Sequence, residues 1–209
     1  MGAQAERAQV LYTKRAPSYE RGARLRAPFG RRAVAALGLR PGETVLDIAC
    51  GTGGNFDAIM EVIGPGGRLV GIDLSDDMLA RASQRVRRNG WSNVELIRSP
   101  VAAAQIPVQA DAALFALAHD VLRDPASVAN VVAHVRPGGR VATAGVKWAP
   151  LWASPLNLVV WLVARRYITS FDGFREPWSL LAAHLADVRV DHLLAGTGYV
   201  VSGRLAADA

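Results

Sequence analysis

Val45-Leu46-Asp47-Ile48-Ala49-Cys50-Gly51-Thr52-Gly53-Gly54-Asn55, followed by Gly71-Ile72-Asp73-Leu74-Ser75, decides how this chain is read. Val45–Ile48 predicts a buried strand that stops at a tight glycine turn. A helix follows, then a second strand that ends in an acid. In such a βαβ unit a nucleotide lies across the first turn, and the acid closing the second strand hydrogen-bonds the ribose hydroxyls. Asp73 lies 20 residues after Gly53, the separation the unit needs. Two details separate the ligand classes. A dinucleotide needs N–H groups at a helix N-terminus for its pyrophosphate, and a third glycine that lets helix and strand approach closely. That third position is Phe56 here, so the phosphate fingerprint is broken. Asp47 would repel a pyrophosphate and suits a cationic ligand.

The cation that fits is S-adenosylmethionine, with its sulfonium and α-ammonium. At these residues the chain resembles the class I S-adenosylmethionine-dependent methyltransferases: their first motif, (D/E)-x-x-x-G-x-G, is met by Asp47, Gly51 and Gly53. The stretch from Tyr12-Thr13-Lys14-Arg15-Ala16-Pro17-Ser18-Tyr19 to Gly42-Glu43-Thr44-Val45-Leu46-Asp47 is similar to the ubiquinone/menaquinone-methyltransferase-like, or type 11, branch. The similarity covers residues 12–147 and fades beyond them. One residue departs from the pattern: Ala49 stands where the family has glycine, which predicts a slightly displaced turn.

Composition agrees with a single domain over residues 1–209: the chain is 51% hydrophobic, enough for a full core. Cys50 is the only cysteine, which excludes a disulfide framework and a cysteine metal site; no metal is expected. No apolar leader is visible near the N-terminus, so a cytoplasmic location is expected. Residues 1–40, read as an amphipathic helical region, hold nine Lys/Arg against Glu6 and Glu20, whereas the whole chain is only +6. Such a segment suits an anionic partner or a phospholipid surface, or is a solvated face from an arginine-favouring genome; Lys14 and Lys147 are the only lysines.

Strand and helix signals alternate: strands at 44–48, 68–72, 94–97, 111–115 and 140–146, helices at 55–63, 76–88 and 125–135, and a closing hairpin of 188–194 with 198–205. Ser75 is the natural N-cap of the second helix, and Pro137-Gly138-Gly139 reads as the stop of the third. The resemblance implies an α/β, Rossmann-like, seven-stranded, mostly parallel sheet with helices on both faces and a helical cap, the last strand inserted antiparallel.

The same resemblance places the cofactor at the carboxyl ends of the strands. Strand one would contribute Asp47, Ala49, Gly51 and Gly53, and strand two Asp73, with Leu74 and Met78 beside the adenine. The family has an acid after strand three for the adenine amino group. This chain has Arg98-Ser99-Pro100-Val101 instead, so Ser99 or the Val101 backbone would substitute. Phe115 would flank the methionine arm. Tyr19, matching the second tyrosine of the N-terminal motif, either covers the cofactor or packs in a core.

Methyl transfer is a displacement that needs alignment and exclusion of water, and a base only where the acceptor carries a proton that must leave. His119 follows strand four and is the candidate base, with Asp120 to orient it; the alternative is that His119 packs or caps the next helix. His134 and His192 read as structural. A (D/N)-P-P-(Y/F/W) tetrapeptide, a Lys-Asp-Lys-Glu tetrad and an Asp-Asn metal pair are all missing, which argues against a nucleic-acid substrate and a catechol-type magnesium site. Residues 148–180 carry Trp148, Trp152, Trp161 and Trp178 with Tyr167, Phe171 and Phe174, and read as an aromatic lid suited to a small apolar acceptor. Leu151–Ala164, ending at Arg165-Arg166, is too short and broken to span a bilayer but could lie on one. The expected function is methylation of a small, largely apolar or aromatic, natural-product-like acceptor. The alternatives are a membrane-surface lipid or quinone methyltransferase, and a protein that binds S-adenosylmethionine without transferring methyl. Neither oligomeric state nor the choice among N-, O- and C-methylation is encoded in these motifs.

Overall fold

The computed structural model describes residues 23–165 and 168–206. Seven strands form one sheet: β1 (Thr44–Ile48), β2 (Arg68–Asp73), β3 (Val94–Arg98), β4 (Ala110–Ala116), β5 (Val135–Val146), β6 (Leu185–Leu193) and β7 (Gly198–Leu205). Their order is β3-β2-β1-β4-β5-β7-β6. β1 to β5 are mutually parallel and β7 is antiparallel to both neighbours, as the resemblance implied. The order reverses between β1 and β4, and at such a switch point the strand ends diverge and leave a crevice at their carboxyl edge.

Side-chain alternation explains the two helical layers. Val45, Leu69, Leu114, Ala142 and Val200 project to one face, where they meet α1 (Ala23–Leu37), α2 (Phe56–Ile63) and α3 (Asp76–Asn89). Leu46, Ile48, Val70, Ile72 and Phe115 project to the other, against the short α4 (His119–Leu122), α5 (Pro125–Ala133) and α7 (Ser179–Ala182). Strands buried on both faces read as unbroken apolar runs, which is why β1 and β4 were plain in the sequence.

The missing third glycine has a structural counterpart. The Phe56 ring, wholly buried, lies against Gly53 and Gly71; a Cβ on Gly53 would come to 2.6 Å of the ring and one on Gly71 to 2.9 Å. An aromatic ring thus fills the space that a glycine would close. Ser75 caps α3 as expected, its Oγ accepting from the Met78 N–H at 3.4 Å. Two boundaries differ from expectation. α5 stops at Ala133, and Pro137-Gly138-Gly139 forms an irregular entry to β5, with the register jumping from Val135 to Arg140 opposite Ala110 and Ala112. β6 starts three residues before the expected Val188 and contains a bulge at Asp187. The cap between β5 and α7 contains one regular helix, α6 (Leu156–Ala164). Among the described residues, no helix is long and apolar enough to cross a membrane.

Candidate cofactor and acceptor site

Five segments meet at the carboxyl edge of the sheet: the turn after β1, the ends of β2 and β3, the β4–α4 junction and the cap. Asp47, the last acidic position of β1, is wholly buried. Both of its oxygens accept from the Asn55 amide at 3.3 Å. Burial pushes its carboxyl up to about 7; the Asn55 hydrogen bond opposes this and the Asp73 charge adds to it. Asn55 is itself pressed by α1: a Cβ on Gly30 would come to 2.1 Å of its Oδ1. The sequence reading missed Asn55, although an amide directly after the glycines at the mouth of a helix is a signal that could have found it.

Asp73 closes the turn from the other side. Its Oδ2 accepts from the Gly51 N–H at 2.8 Å and its Oδ1 from the Ser75 N–H at 2.9 Å. Burial raises its carboxyl, and these backbone donors pull it back down. Each oxygen keeps a lone pair for a further donor. Ala49 takes φ 53°, the left-handed conformation that glycine adopts freely, so the methyl group is carried at a cost of about 1 kcal/mol rather than avoided. The turn stays pinned through Cys50 N–H to the Ile72 carbonyl at 3.0 Å. Cys50 is buried between the two carboxylates; burial first, then the charges of Asp73 and Asp47, push its thiol up.

The remaining cofactor candidates fall into place unevenly. Leu74 is half-buried beside Asp73, while Met78 is 2% exposed beneath it. Ser99 donates its backbone N–H to the Asp73 carbonyl at 3.1 Å and its hydroxyl to the Pro100 carbonyl at 2.9 Å. Val101 opens a single helical turn, Val101–Ala103, where the first N–H groups have no partner within the turn. Phe115 is wholly buried, in the same core cluster as Ile48 and Leu122. Tyr19 lies outside the described residues.

His119 is 8% exposed at the start of α4. Its Nε2 faces the Ser170 carbonyl at 3.2 Å, which places a proton on Nε2 and leaves Nδ1 an acceptor; Nδ1 is buried without a partner. The expected partner Asp120 is engaged elsewhere, accepting from the Thr169 N–H at 3.2 and 3.3 Å. A cap carbonyl therefore sets the tautomer. Burial lowers the imidazole below its usual range, opposed by Asp120, which favours the neutral form. The Phe174 ring meets it edge-on at 5.0 Å, and Phe174, Phe171 and Trp148 pack mutually at 5.0–5.2 Å. Trp148 also borders a cavity of about 370 Å³ within the cap, with Pro150, Leu151, Asn157 and Arg175. The other cap aromatics do not join it: Trp178 packs on Tyr199, Trp152 is 75% exposed, and Trp161 lies under the Arg165 guanidinium. Leu117 carries φ 58° just before this junction, a strain that no sequence pattern announces.

Comparison with known proteins shows what kind of domain carries this site. Residues 45–139 match the family model for a methyltransferase domain. Residues 45–139, just under half of the chain, are a methyltransferase domain of the class I, S-adenosylmethionine-dependent kind. The domain is 34% identical over 122 residues to the arsenite methyltransferase of Halobacterium salinarum, covering 55% of this chain and 29% of that protein. It is 29% identical over 120 residues to the nocamycin O-methyltransferase of Saccharothrix syringae, covering 56% and 43%. The matches thus span less than half the length of these curated relatives. In fold it is similar to the 1,6-didemethyltoxoflavin-N1-methyltransferase of Burkholderia thailandensis, solved with 1,6-didemethyltoxoflavin and S-adenosylhomocysteine. The TM-score is 0.64 at 24% identity, over 99% of this chain and 92% of that one. S-adenosylmethionine is the cofactor of this domain class, and the donor set of the methyltransferase domain fits it. Two carboxylates, Asp47 wholly buried and Asp73 half-buried, neither hydrogen-bonded to a basic side chain among the described residues, face a turn whose Gly51 N–H is already given to Asp73 and whose Cys50 and Gly53 N–H groups are given to backbone carbonyls. That is an environment for a cation and a ribose rather than for a phosphate.

Proposed function

We propose that the protein transfers a methyl group to a small, largely apolar or aromatic acceptor and that His119 receives the acceptor's proton. The observation that carries this reading is His119 itself, its Nε2 held by the Ser170 carbonyl and its Nδ1 unpartnered beside an aromatic wall. Asp47 would hold the α-ammonium and Asp73 the ribose hydroxyls, with Ala49, Gly51 and Gly53 shaping the turn. Leu74 and Met78 would border the adenine, and Ser99 or the Val101 N–H would meet its edge. Phe115 supports the floor from below, and Tyr19 is proposed as a cover. When bound, S-adenosylmethionine would supply a methyl carbon activated by its sulfonium, which the acceptor's N, O or C would take as the C–S bond breaks, with S-adenosylhomocysteine as the leaving group. The domain's own work is alignment, exclusion of water by Trp148, Phe171 and Phe174, and acceptance of the proton at Nδ1. The cap cavity, near the lower end of small-ligand pockets, supports an acceptor of modest size. Relatives named for nocamycin and didemethyltoxoflavin support a natural-product-like compound.

The test is release of S-adenosylhomocysteine from S-adenosylmethionine with a panel of phenols, enols and aromatic amines. Turnover with one class supports the reading. Tight binding of S-adenosylhomocysteine with no turnover on any class favours a binding protein that does not transfer methyl. A second reading, a lipid or quinone methyltransferase at a membrane surface, is favoured by α6. Its Leu158, Val159 and Val163 are more than half exposed, and the neighbouring Leu151 and Trp152 protrude further. Salt-sensitive co-sedimentation with anionic vesicles, together with turnover of a vesicle-borne quinone, would favour it. The reading also carries the proposal of a single domain over residues 1–209, with residues 148–180 as its substrate cap.

A further inference from the structure

The two edges of the sheet are built differently. β3 is half-buried over most of its length, whereas β6 is exposed at every position from Ala186 to His192, on both faces. Its inner edge pairs with β7 from Leu185 to Leu193, and among the described residues nothing pairs with its outer edge. A long strand that offers a free row of N–H and C=O groups is a template for another chain, and proteins that must stay monomeric blunt it with short length or repelling charge. β6 has nine residues, and its charges are arranged differently from such a blunted edge.

We propose that β6 is an interface between two copies of this chain, joined antiparallel about a two-fold axis at Val190 into one continuous fourteen-stranded sheet. The axis must stand perpendicular to the sheet, so facing residues must lie on the same face, and only registers that slip by two are open. With Val190 opposite Val190 of the second copy, Arg189 faces Asp191 and Asp191 faces Arg189, giving two opposite-charge pairs across the junction. Val188 then faces His192. A slip one way sets Arg189 against its own copy and Asp187 against Asp191; a slip the other way sets Asp191 against itself. Like charges directly opposite destabilise a strand pair, so charge alone selects the Val190 register. Asp187, at φ 53° in the bulge, ends the pairable stretch on one side, and the turn Leu194–Gly196 ends it on the other. A two-fold contact of this kind closes on itself and cannot propagate into a fibre. The pairing lies at the far edge from β1 and leaves the crevice open in both copies.

Charge reversal tests this directly by sedimentation equilibrium at concentrations up to ~100 µM, with far-ultraviolet circular dichroism and S-adenosylhomocysteine binding as controls of folding. The wild-type chain is expected to dimerise. Arg189→Asp and Asp191→Arg, each placing like charges opposite one another twice per dimer, are expected to weaken association ~10-fold or more, and R189D/D191R together to restore it. A wild-type monomer at the highest concentration overturns the proposal. So does a dimer that neither single reversal weakens, and so does one that the double reversal fails to rescue.

Discussion

The halves of this molecule proposed to meet the methyl donor and the acceptor are built on opposite plans. Around the turn after β1 the polar groups are satisfied within the protein: Asp73 accepts from Gly51 and Ser75, Asp47 from Asn55, and Cys50 donates to Ile72. Around α4 and the cap, His119 Nδ1 and Arg123 Nε are buried without partners. The same side carries the protruding Leu151 and Trp152. Unsatisfied buried polar atoms cost about 1–3 kcal/mol each, so they persist where something besides stability is selected. The contrast teaches that the proposed donor site is preorganised by hydrogen bonds already made within the protein, whereas the proposed acceptor site keeps hydrogen-bonding capacity in reserve.

The largest effect that would break this contrast is loss of the reserved acceptor atom. His119→Ala is expected to lower kcat ~100-fold with S-adenosylhomocysteine affinity unchanged, in calorimetry beside steady-state assays. Unaltered turnover would remove His119 from the chemistry. On the donor side, Asp47→Asn is expected to weaken S-adenosylmethionine binding ~10-fold or more through loss of a charged partner. The same change has an opposite effect on the ligand-free fold. The folded carboxyl titrates near 7 against 3.8 unfolded, so the wild type binds more protons folded than unfolded and loses stability as pH rises from about 4 through 7. The variant escapes this, and is expected to be more stable by ~2–4 kcal/mol at pH 8 and equal at pH 4, in urea titrations. A third measurement separates the halves by pH. The acid limb of kcat should fall below 6.5, the ordinary imidazole value, because burial lowers His119; affinity for the cationic cofactor should improve from pH 6 to 8 as Asp47 ionises. The smallest effect is local. Ala49→Gly relieves a left-handed alanine, but glycine's freedom in the unfolded chain takes back ~0.4–1 kcal/mol of that, so Tm is expected to rise by no more than ~2 °C in calorimetry.

The same division governs what could be read from the chain. The donor half is encoded locally: apolar runs at Val45–Ile48 and Leu69–Ile72 can only be buried strands, and the glycines and acids between them lie within 30 residues of sequence. Even there, Phe56 as a filler beneath Gly53 and the strain at Ala49 needed coordinates. The acceptor half is assembled from residues far apart in the chain. His119 was visible as a candidate, but its orienting partner is the carbonyl of Ser170, 51 residues away, and any residue type supplies a carbonyl. Asp120 was the reasonable guess from adjacency, yet helix geometry turns it to the Thr169 N–H instead. Aromatic residues in the cap announced a cap without revealing which of them face inward: Trp148, Phe171 and Phe174 do, and Trp152 and Trp161 do not.

The lone cysteine offers a clock. Cys50 is buried in the turn after β1, and both burial and the two neighbouring carboxylates suppress its thiolate, so an alkylating reagent can reach a reactive form only when the turn lifts away from β2. Because no other thiol competes, the rate of mass gain after adding a maleimide counts the openings of that one turn in the unaltered protein, and its slowing as S-adenosylhomocysteine is added measures how firmly the ligand holds it shut.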